Sequence, residues 1–217
     1  MLNFTSIVLF ALSLVGAWRL LVTCAHDPGY LEPRPTSSEM TEMLPESGIP
    51  LRWCKDCQFF QPRRAKHCKE CGFCVRTFDH HCFYIGGCVG EFNHPQFLVM
   101  LLAWVLVLTW HWTLLHSCLT PFNIRGWLSG NWHILALLLV LTVFWALISM
   151  LLVYHCYLVL TAQTTWEHLS RHNIDYMRHF PRTVFPYSRG TRENIREFTS
   201  RDRLMPRQWA FTWKRGE

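Results

Sequence analysis

The feature that most restricts what this chain can form is a concentration of cysteine and histidine in its middle. Seven of its ten cysteines lie between positions 54 and 88, with three histidines among them. The set consists of Cys54, Cys57, Cys68, Cys71, Cys74, Cys82 and Cys88, with His67, His80 and His81. Such a segment is held together by disulfides or by metal ions, and the redox compartment decides between them.

Long apolar stretches on both sides of this segment predict membrane spans. Hydrophobic residues make up 50% of the chain and are bunched rather than spread. Three stretches approach or exceed the roughly 20 apolar residues that cross a bilayer, and they predict spans at 1–24, 97–119 and 132–160. A signal peptide is the alternative for the first stretch, but no basic region precedes it.

The remaining segments complete a predicted domain plan. It comprises a linker at 25–50, a cysteine-rich zinc domain at 51–96, a lumenal loop at 120–131 and a C-terminal tail at 161–217. The predicted fold class is therefore mainly α, an integral membrane helical bundle of three spans with a cysteine-rich domain of short hairpins.

The distribution of basic residues predicts the orientation in the membrane. Nine Lys and Arg lie from Arg19 to Arg76 and eleven from Arg171 onward, whereas the loop between the second and third spans has only Arg125. The positive-inside rule then places the cysteine-rich segment and the tail in the cytosol, where metal sites are favoured over disulfides. The net charge of +6 is concentrated beside the membrane, so we expect lipid or a phosphate-bearing cofactor as a partner, and no nucleic acid.

The number of potential ligands exceeds what two zinc ions need. Two C-x-x-C pairs, at 54/57 and 68/71, are typical of structural zinc sites with four ligands. Two Cys3His sites use six cysteines and two histidines, which leaves one of each. The surplus lies in the run Asp79-His80-His81-Cys82.

That run contains the groups of a nucleophilic thiol with its base and orienting residue. A neutral histidine can remove the thiol proton of Cys82, and Asp79 can hold the tautomer of the ring. Alternatively, Cys82 is one more candidate ligand in a structural or binding zinc module. The residues alone leave both readings open.

The segment from Cys54 to Phe97 resembles the cysteine-rich domain of the DHHC palmitoyltransferases. The resemblance is carried by the spacing of Cys54, Cys57, Pro62, the run 67–74, Asp79-His80-His81-Cys82, Cys88, Asn93 and Phe97. Outside it, Asp27-Pro28-Gly29 resembles the family's DPG motif, Thr164-Thr165-Trp166-Glu167 its TTxE motif, and Phe185-Pro186-Tyr187 with Gly190 and Asn194 the segment in which an Asn holds the tail. Within the family, the chain is most similar to a small Golgi and ER member.

The resemblance implies two interleaved zinc sites. One consists of Cys54, Cys57, His67 and Cys74, and the other of Cys68, Cys71, His81 and Cys88. It further implies that His80 is the base and Cys82 the nucleophile, supported by Asp79.

The activity implied is protein S-acylation in two steps at a multi-pass membrane protein of the Golgi or endoplasmic reticulum. Palmitoyl-CoA or another long-chain acyl-CoA loads Cys82, and the acyl group passes to substrate proteins with membrane-proximal cysteines. Arg63, Arg64 and Lys66 are candidates for binding the CoA phosphates through charge-assisted contacts. A solvated basic face is the alternative for these three.

Two departures from the family pattern keep other functions open. The family usually has Pro-Trp after the nucleophile and Asn-Asn before the last ligand, whereas this chain reads Phe83-Tyr84-Ile85-Gly86-Gly87. Without the Pro and with two Gly, this loop loses more conformational entropy when it folds. Family members also normally have at least four spans, and the one without a counterpart here is the first. The alternatives are a catalytically weakened scaffold and a zinc-dependent interaction protein.

Overall fold

The helices hold most of the apolar sequence. The computed structural model describes residues 4–31, 52–120 and 126–200, apart from the side chains of residues 4–7, 9 and 10. The helices are α1 (Phe4–Ala25), α2 (His94–Ser117), α3 (Trp127–Leu160), α4 (Thr165–Leu169) and α5 (Thr191–Thr199). Most of the predicted linker, residues 121–125 of the predicted lumenal loop and the end of the predicted tail lie outside the described residues.

Seven short strands form the rest of the regular structure. They are β1 (Tyr30–Leu31), β2 (Arg52–Cys54), β3 (Phe59–Gln61), β4 (Lys66–Cys68), β5 (Phe73–Val75), β6 (His80–Cys82) and β7 (Gly87–Val89). Three antiparallel hairpins result, β2–β3, β4–β5 and β6–β7, and β1 pairs with the outer side of β5. The predicted domain of short hairpins is thus present.

The chain divides into two compact units. The helical unit contains Met1–Thr23 and Gln96–His155, and the cysteine-rich unit contains Cys24–Pro95 and Cys156–Glu217. In the helical unit, α2 and α3 exchange two indole-to-hydroxyl hydrogen bonds. Trp112 donates to Thr142 at 3.0 Å, and Trp145 donates to Thr109 at 2.8 Å. Such bonds join apolar helices that lack a hydrophobic driving force in lipid.

Two of the three predicted spans are long enough, and apolar enough, to cross a membrane. They are α2, with 24 residues, and α3, with 34. Both begin before the predicted spans, α2 because Pro95 fits the first turn of a helix. The remaining predicted span, residues 1–24, is not confirmed. Among the described residues the apolar part of α1 is Ala11–Ala25, which is shorter than a membrane span. The bundle of three spans therefore stays a prediction.

The Asp27-Pro28-Gly29 segment attaches to the cysteine-rich unit through its backbone. The Asp27 carboxylate accepts hydrogen bonds from the amides of Gly29 and Tyr30 at 2.7 and 2.9 Å, which forms an Asx turn. The carbonyl of Gly29 accepts from the Arg76 amide at 2.9 Å. Gly90 packs so closely here that a Cβ on it would lie 2.4 Å from the Pro28 carbonyl oxygen. This motif therefore fixes where the chain enters the hairpins.

Candidate active site and metal centres

The hairpin register brings each predicted set of zinc ligands together. Cys54 and Cys57 lie in the first hairpin, and they meet His67 and Cys74, which are direct cross-strand partners in the second. The same arrangement then repeats one hairpin further along the chain. Its members are Cys68 and Cys71 in the second hairpin with the cross-strand partners His81 and Cys88 in the third. Opposite residues of an antiparallel pair project on one face, so this register suits them for a shared ion.

Distances within these clusters fit tetrahedral zinc. In the second cluster, the Cys71 sulfur lies 3.3 Å from Nδ1 of His81 and 3.5 Å from the Cys88 sulfur. In the first, the Cys57 sulfur lies 3.2 Å from Nδ1 of His67. Ligand bonds of about 2.3 Å to sulfur and about 2.0 Å to nitrogen place tetrahedral ligand atoms roughly 3.5–3.8 Å apart. Three thiolates and one imidazole per cluster also match the ligand chemistry of structural zinc.

Further residues contact these ligands, and few of these contacts could be predicted from the sequence. Tyr30 donates its hydroxyl hydrogen to the Cys71 sulfur at 3.5 Å, and Gln61 donates to the Cys74 sulfur at 3.1 Å. The Asp56 carboxylate lies 3.4 Å from Nε2 of His67, the nitrogen that faces away from the cysteines. Outer contacts of this kind fix the orientation of ligands. Tyr30 directly follows the Asp-Pro-Gly motif, which was the one available signal.

Alternation along β6 separates the candidate catalytic pair from the metal ligand. Side chains on a strand point to alternate faces, so His80 and Cys82 share one face and His81 lies on the other. His81 is opposite Cys88, whereas Cys82 is opposite Gly87. Cys82 is only 7% exposed. The structure therefore brings the predicted base and nucleophile together and directs the adjacent histidine to the second cluster.

The Asp79 carboxylate holds His80 from one side. One oxygen lies 2.7 Å from Nδ1 of His80, and the other accepts a hydrogen bond from the backbone amide of Thr165 at 2.8 Å. Asp79 itself is 1% exposed. A proton on Nδ1 is therefore favoured, which leaves Nε2 for the thiol. The arrangement has the order of acid, imidazole and nucleophile found in catalytic triads.

Electrostatic interactions favour an imidazolium at His80 and a thiolate at Cys82. Burial lowers the pKa of His80, but hydrogen bonds to Asp79 and Cys82 and the charges of these two groups outweigh it and raise that pKa to about 9. Burial raises the pKa of Cys82, yet the hydrogen bond and charge of His80, with the amides of Ile85 and Tyr84, lower it overall. A thiolate beside an imidazolium is the nucleophilic state of a cysteine.

The loop after Cys82, where the sequence departs from the family pattern, has a defined backbone shape. Residues Phe83–Ile85 form a single 3-10 turn, which ends at Gly86 with φ 64° and ψ 26°. Asn and Gly both tolerate this left-handed conformation, so Gly86 can replace the usual Asn without strain. The turn buries Ile85 and leaves Phe83 and Tyr84 90% and 86% exposed.

The Thr-Thr-Trp-Glu motif supports Asp79 from the tail. Thr164 and Glu167 form a reciprocal capping box at the start of α4, and this orients the Thr165 amide toward Asp79. Glu167 is completely buried and binds Arg64 through two hydrogen bonds of 2.7 Å. Tyr176 also donates to Glu167 at 3.2 Å. The motif thus links the cysteine-rich segment to the tail.

The three basic residues predicted to bind CoA differ in their surroundings. Arg64 is committed to Glu167, donates to the Ala162 carbonyl at 3.0 Å and stacks on Tyr187 at 4.3 Å. Lys66 lies over the rings of Phe78 and Trp166 at 4.8 and 5.1 Å, and burial lowers its pKa. These intramolecular partners give Arg64 and Lys66 a packing role, while Arg63 is half-buried beside them.

Asn194 holds the tail to the end of α3. Its amide group donates to the Leu160 carbonyl at 2.7 Å and to the Ser188 hydroxyl at 2.9 Å, and its oxygen accepts from the Arg189 amide at 2.9 Å. The residue is 3% exposed. The amide group of Asn194 is therefore hydrogen-bonded to α3 and to the tail, and its structural role stays a prediction.

Comparison with known proteins agrees with this geometry. The DHHC palmitoyltransferase family model matches residues 48–172. The chain belongs to this family. Palmitoyltransferase ZDHHC12 of Homo sapiens is 42% identical over 196 residues, which cover 87% of this chain and 72% of that protein. The Mus musculus protein of the same name is 39% identical over 203 residues, covering 91% of this chain and 73% of its own.

A third relative, palmitoyltransferase ZDHHC12-A of Danio rerio, is 43% identical over 166 residues, covering 74% of this chain and 60% of its own. The predicted family and the predicted class of enzyme, a protein S-palmitoyltransferase, are thereby confirmed. The matched range of the family model contains both cysteine and histidine clusters, the Asp79–Cys82 run and the Thr-Thr-Trp-Glu motif.

Proposed function

We propose that this palmitoyltransferase works through an acyl-Cys82 intermediate, with His80 as the proton carrier and Asp79 as its positioning residue. The observation that carries the proposal is the alternation on β6, which groups His80 with Cys82 and directs His81 away from them. Family membership shows the reaction class, and this arrangement supports the choice of residues.

In the first step, the Cys82 thiolate attacks the carbonyl carbon of a long-chain acyl-CoA. A carbon–sulfur bond to Cys82 forms, the bond to the CoA sulfur breaks, and the leaving thiolate can take the proton of His80. In the second step, a substrate cysteine gives its proton to His80 and attacks the acyl-enzyme, which releases the Cys82 thiolate. Both steps exchange one thioester for another, so positioning and a ready thiolate are the main requirements.

The two Cys3His clusters are proposed as structural zinc sites. Cys54, Cys57, His67 and Cys74 would hold one ion, and Cys68, Cys71, His81 and Cys88 would hold the other. Zinc would contribute rigidity to the hairpins and no reacting group, because four protein ligands close the coordination shell.

The membrane arrangement is proposed as a mainly helical bundle in which α1, α2 and α3 all span a Golgi or endoplasmic reticulum membrane. The basic residues of the cysteine-rich segment and tail support a cytosolic position for both. A bilayer also suits the acyl chain, whose burial contributes on the order of 10 kcal/mol for a long chain. Substrates would be proteins with cysteines close to that membrane.

The decisive experiment is incubation of the purified full chain with a labelled palmitoyl-CoA. We expect a hydroxylamine-labile adduct that Cys82→Ser abolishes. Cys118→Ser is the matched control, because Cys118 is exposed and lies outside the cysteine-rich unit. A folded, zinc-containing protein that forms no adduct would instead favour a scaffold, the alternative suggested by the Phe83-Tyr84 departure.

A further inference from the structure

A basic surface follows the last apolar helix, α3. It consists of His168, His172 and Arg182, with the apolar side chain of Leu169 beside His168. All four residues are exposed, and Leu169 reaches 72%. We infer that this juxtamembrane basic surface binds the headgroups of anionic lipids. The inference uses the proposed membrane embedding but not the acyl-transfer chemistry.

The surface is close to the end of α3. The His168 ring lies 5.8 Å from the ring of Tyr157, which is one turn before the end of α3 at Leu160. A helix of 34 residues is about 51 Å long, roughly 20 Å more than the hydrocarbon core of a bilayer. Its end therefore reaches the headgroup region, where tyrosine side chains are enriched.

Buried contacts hold the basic groups together. Arg171 is 4% exposed and donates hydrogen bonds to the carbonyls of Phe180, Pro181 and Val184, at 3.3 and 2.8 Å for the first two. This folds the following segment back onto the 3-10 turn Arg171–Asn173. As a result, the Arg182 guanidinium lies 3.4 Å from Nε2 of His172.

Basic and imidazole side chains outnumber acidic ones in this segment. Between positions 168 and 184 the sequence has six basic or imidazole side chains, and Asp175 is its only acidic residue. Asp175 is paired with Arg178 at 3.3 Å. Burial first, and then the nearby charges of Arg182 and Arg171, lower the pKa of His168, so at neutral pH the positive field comes from the arginines and not from this imidazole. A positive field beside an exposed leucine matches a negatively charged membrane surface.

The free phosphates of CoA present similar chemistry, and the experiment must separate the two. The full chain is placed in nanodiscs of phosphatidylcholine alone and in nanodiscs that also contain phosphatidylserine. Hydrogen exchange of the amides at 168–184 is then compared. We expect exchange to slow by about fivefold or more with phosphatidylserine, the effect of one or more cations at an anionic surface.

The double substitution His172→Gln and Arg182→Gln is expected to remove this slowing. Arg196→Gln is the matched control, because Arg196 is an exposed arginine on α5 outside the surface. Unchanged exchange in the hairpins establishes that each variant is folded. Equal exchange in both nanodiscs, or slowing by CoA in the neutral one, would overturn the inference. Adduct formation at Cys82 in the same samples tests the proposed function separately.

Discussion

Arg64 and Glu167 are joined by two hydrogen bonds of 2.7 Å, although 103 positions separate them in the sequence. The Glu167 side chain is completely buried, and that of Arg64 is 16% exposed. Removing one partner of such a pair leaves an uncompensated charge inside the protein. The pair therefore connects the stability of the cysteine-rich segment to that of the tail.

Glu167→Gln is expected to destabilise the folded state by about 3–5 kcal/mol, because it leaves the Arg64 charge without its carboxylate. Thermal unfolding of the purified chain in detergent measures this. Glu193→Gln is the control, since it removes an exposed pair with Arg196 worth less than about 1 kcal/mol. Equal effects of the two substitutions would contradict the structural role of Glu167.

Asp79→Asn is expected to slow acyl-Cys82 formation by about 100-fold or more, a typical contribution of acid–base catalysis. An amide cannot fix the Nδ1 proton of His80 as a carboxylate does, so the thiolate loses its partner. Single-turnover labelling with acyl-CoA measures the rate. Zinc content serves as the control, because Asp79 belongs to neither Cys3His cluster, and a rate equal to wild type would remove Asp79 from the site.

Metal analysis is expected to find two zinc ions per chain. Cys88→Ala should lose or weaken one of them, since it removes a ligand of the second cluster. Cys156→Ala, which changes an exposed cysteine outside both clusters, should retain two. A ratio near one in the unmodified chain would show that the ligand assignment is wrong.

Gly86→Asn is expected to be tolerated, whereas Gly86→Ala should cost about 1 kcal/mol of folding free energy. The left-handed backbone at this position, with φ 64°, suits glycine and asparagine better than alanine. Nothing lies within 4 Å of a Cβ added here, so a steric clash does not complicate the comparison. Thermal unfolding of both variants tests it, and equal stability would exclude a conformational requirement.

Asn194→Ala is expected to loosen the tail by about 1–3 kcal/mol, the cost of leaving buried groups such as the Leu160 carbonyl without a partner. Limited proteolysis should then cut within the segment 185–200 sooner than in wild type. Thr199→Ala provides a control, because the hydrogen bonds of its hydroxyl to described residues all lie within α5. Identical cleavage of all three proteins would mean that Asn194 does not hold the tail.

Much of the site could be anticipated because its ligands follow local spacing. The two C-x-x-C pairs lie in hairpin turns, and each turn repeats one backbone bond, from Gln58 to the Cys54 carbonyl and from Gly72 to the Cys68 carbonyl, both at 2.9 Å. The choice between His80 and His81 also follows from alternation once a strand is assumed there. Local patterns of this kind are visible in a sequence.

Contacts between segments that are distant in the sequence could not be predicted in the same way. From the sequence, Arg64 was expected either to bind phosphate or to be solvated. In the structure it is hydrogen-bonded to Glu167. Gln61 gave no sign that it would reach the Cys74 sulfur. Side-chain partners of this type depend on the packing of separate hairpins, which no spacing rule specifies. The first span remained unconfirmed for another reason: among the described residues its apolar part, Ala11–Ala25, is shorter than a bilayer span requires.

The β4–β5 hairpin contributes two residues to each Cys3His cluster, through Cys68 with Cys71 and through His67 with Cys74. Filling either cluster would immobilise this hairpin and so reduce the entropy lost when the other is filled. Metal loading is then expected to be cooperative, with few partially loaded molecules at intermediate zinc concentrations. Because Cys82 lies in the last hairpin of the series, zinc scarcity would divide the population into competent and incompetent molecules and would not weaken every molecule equally.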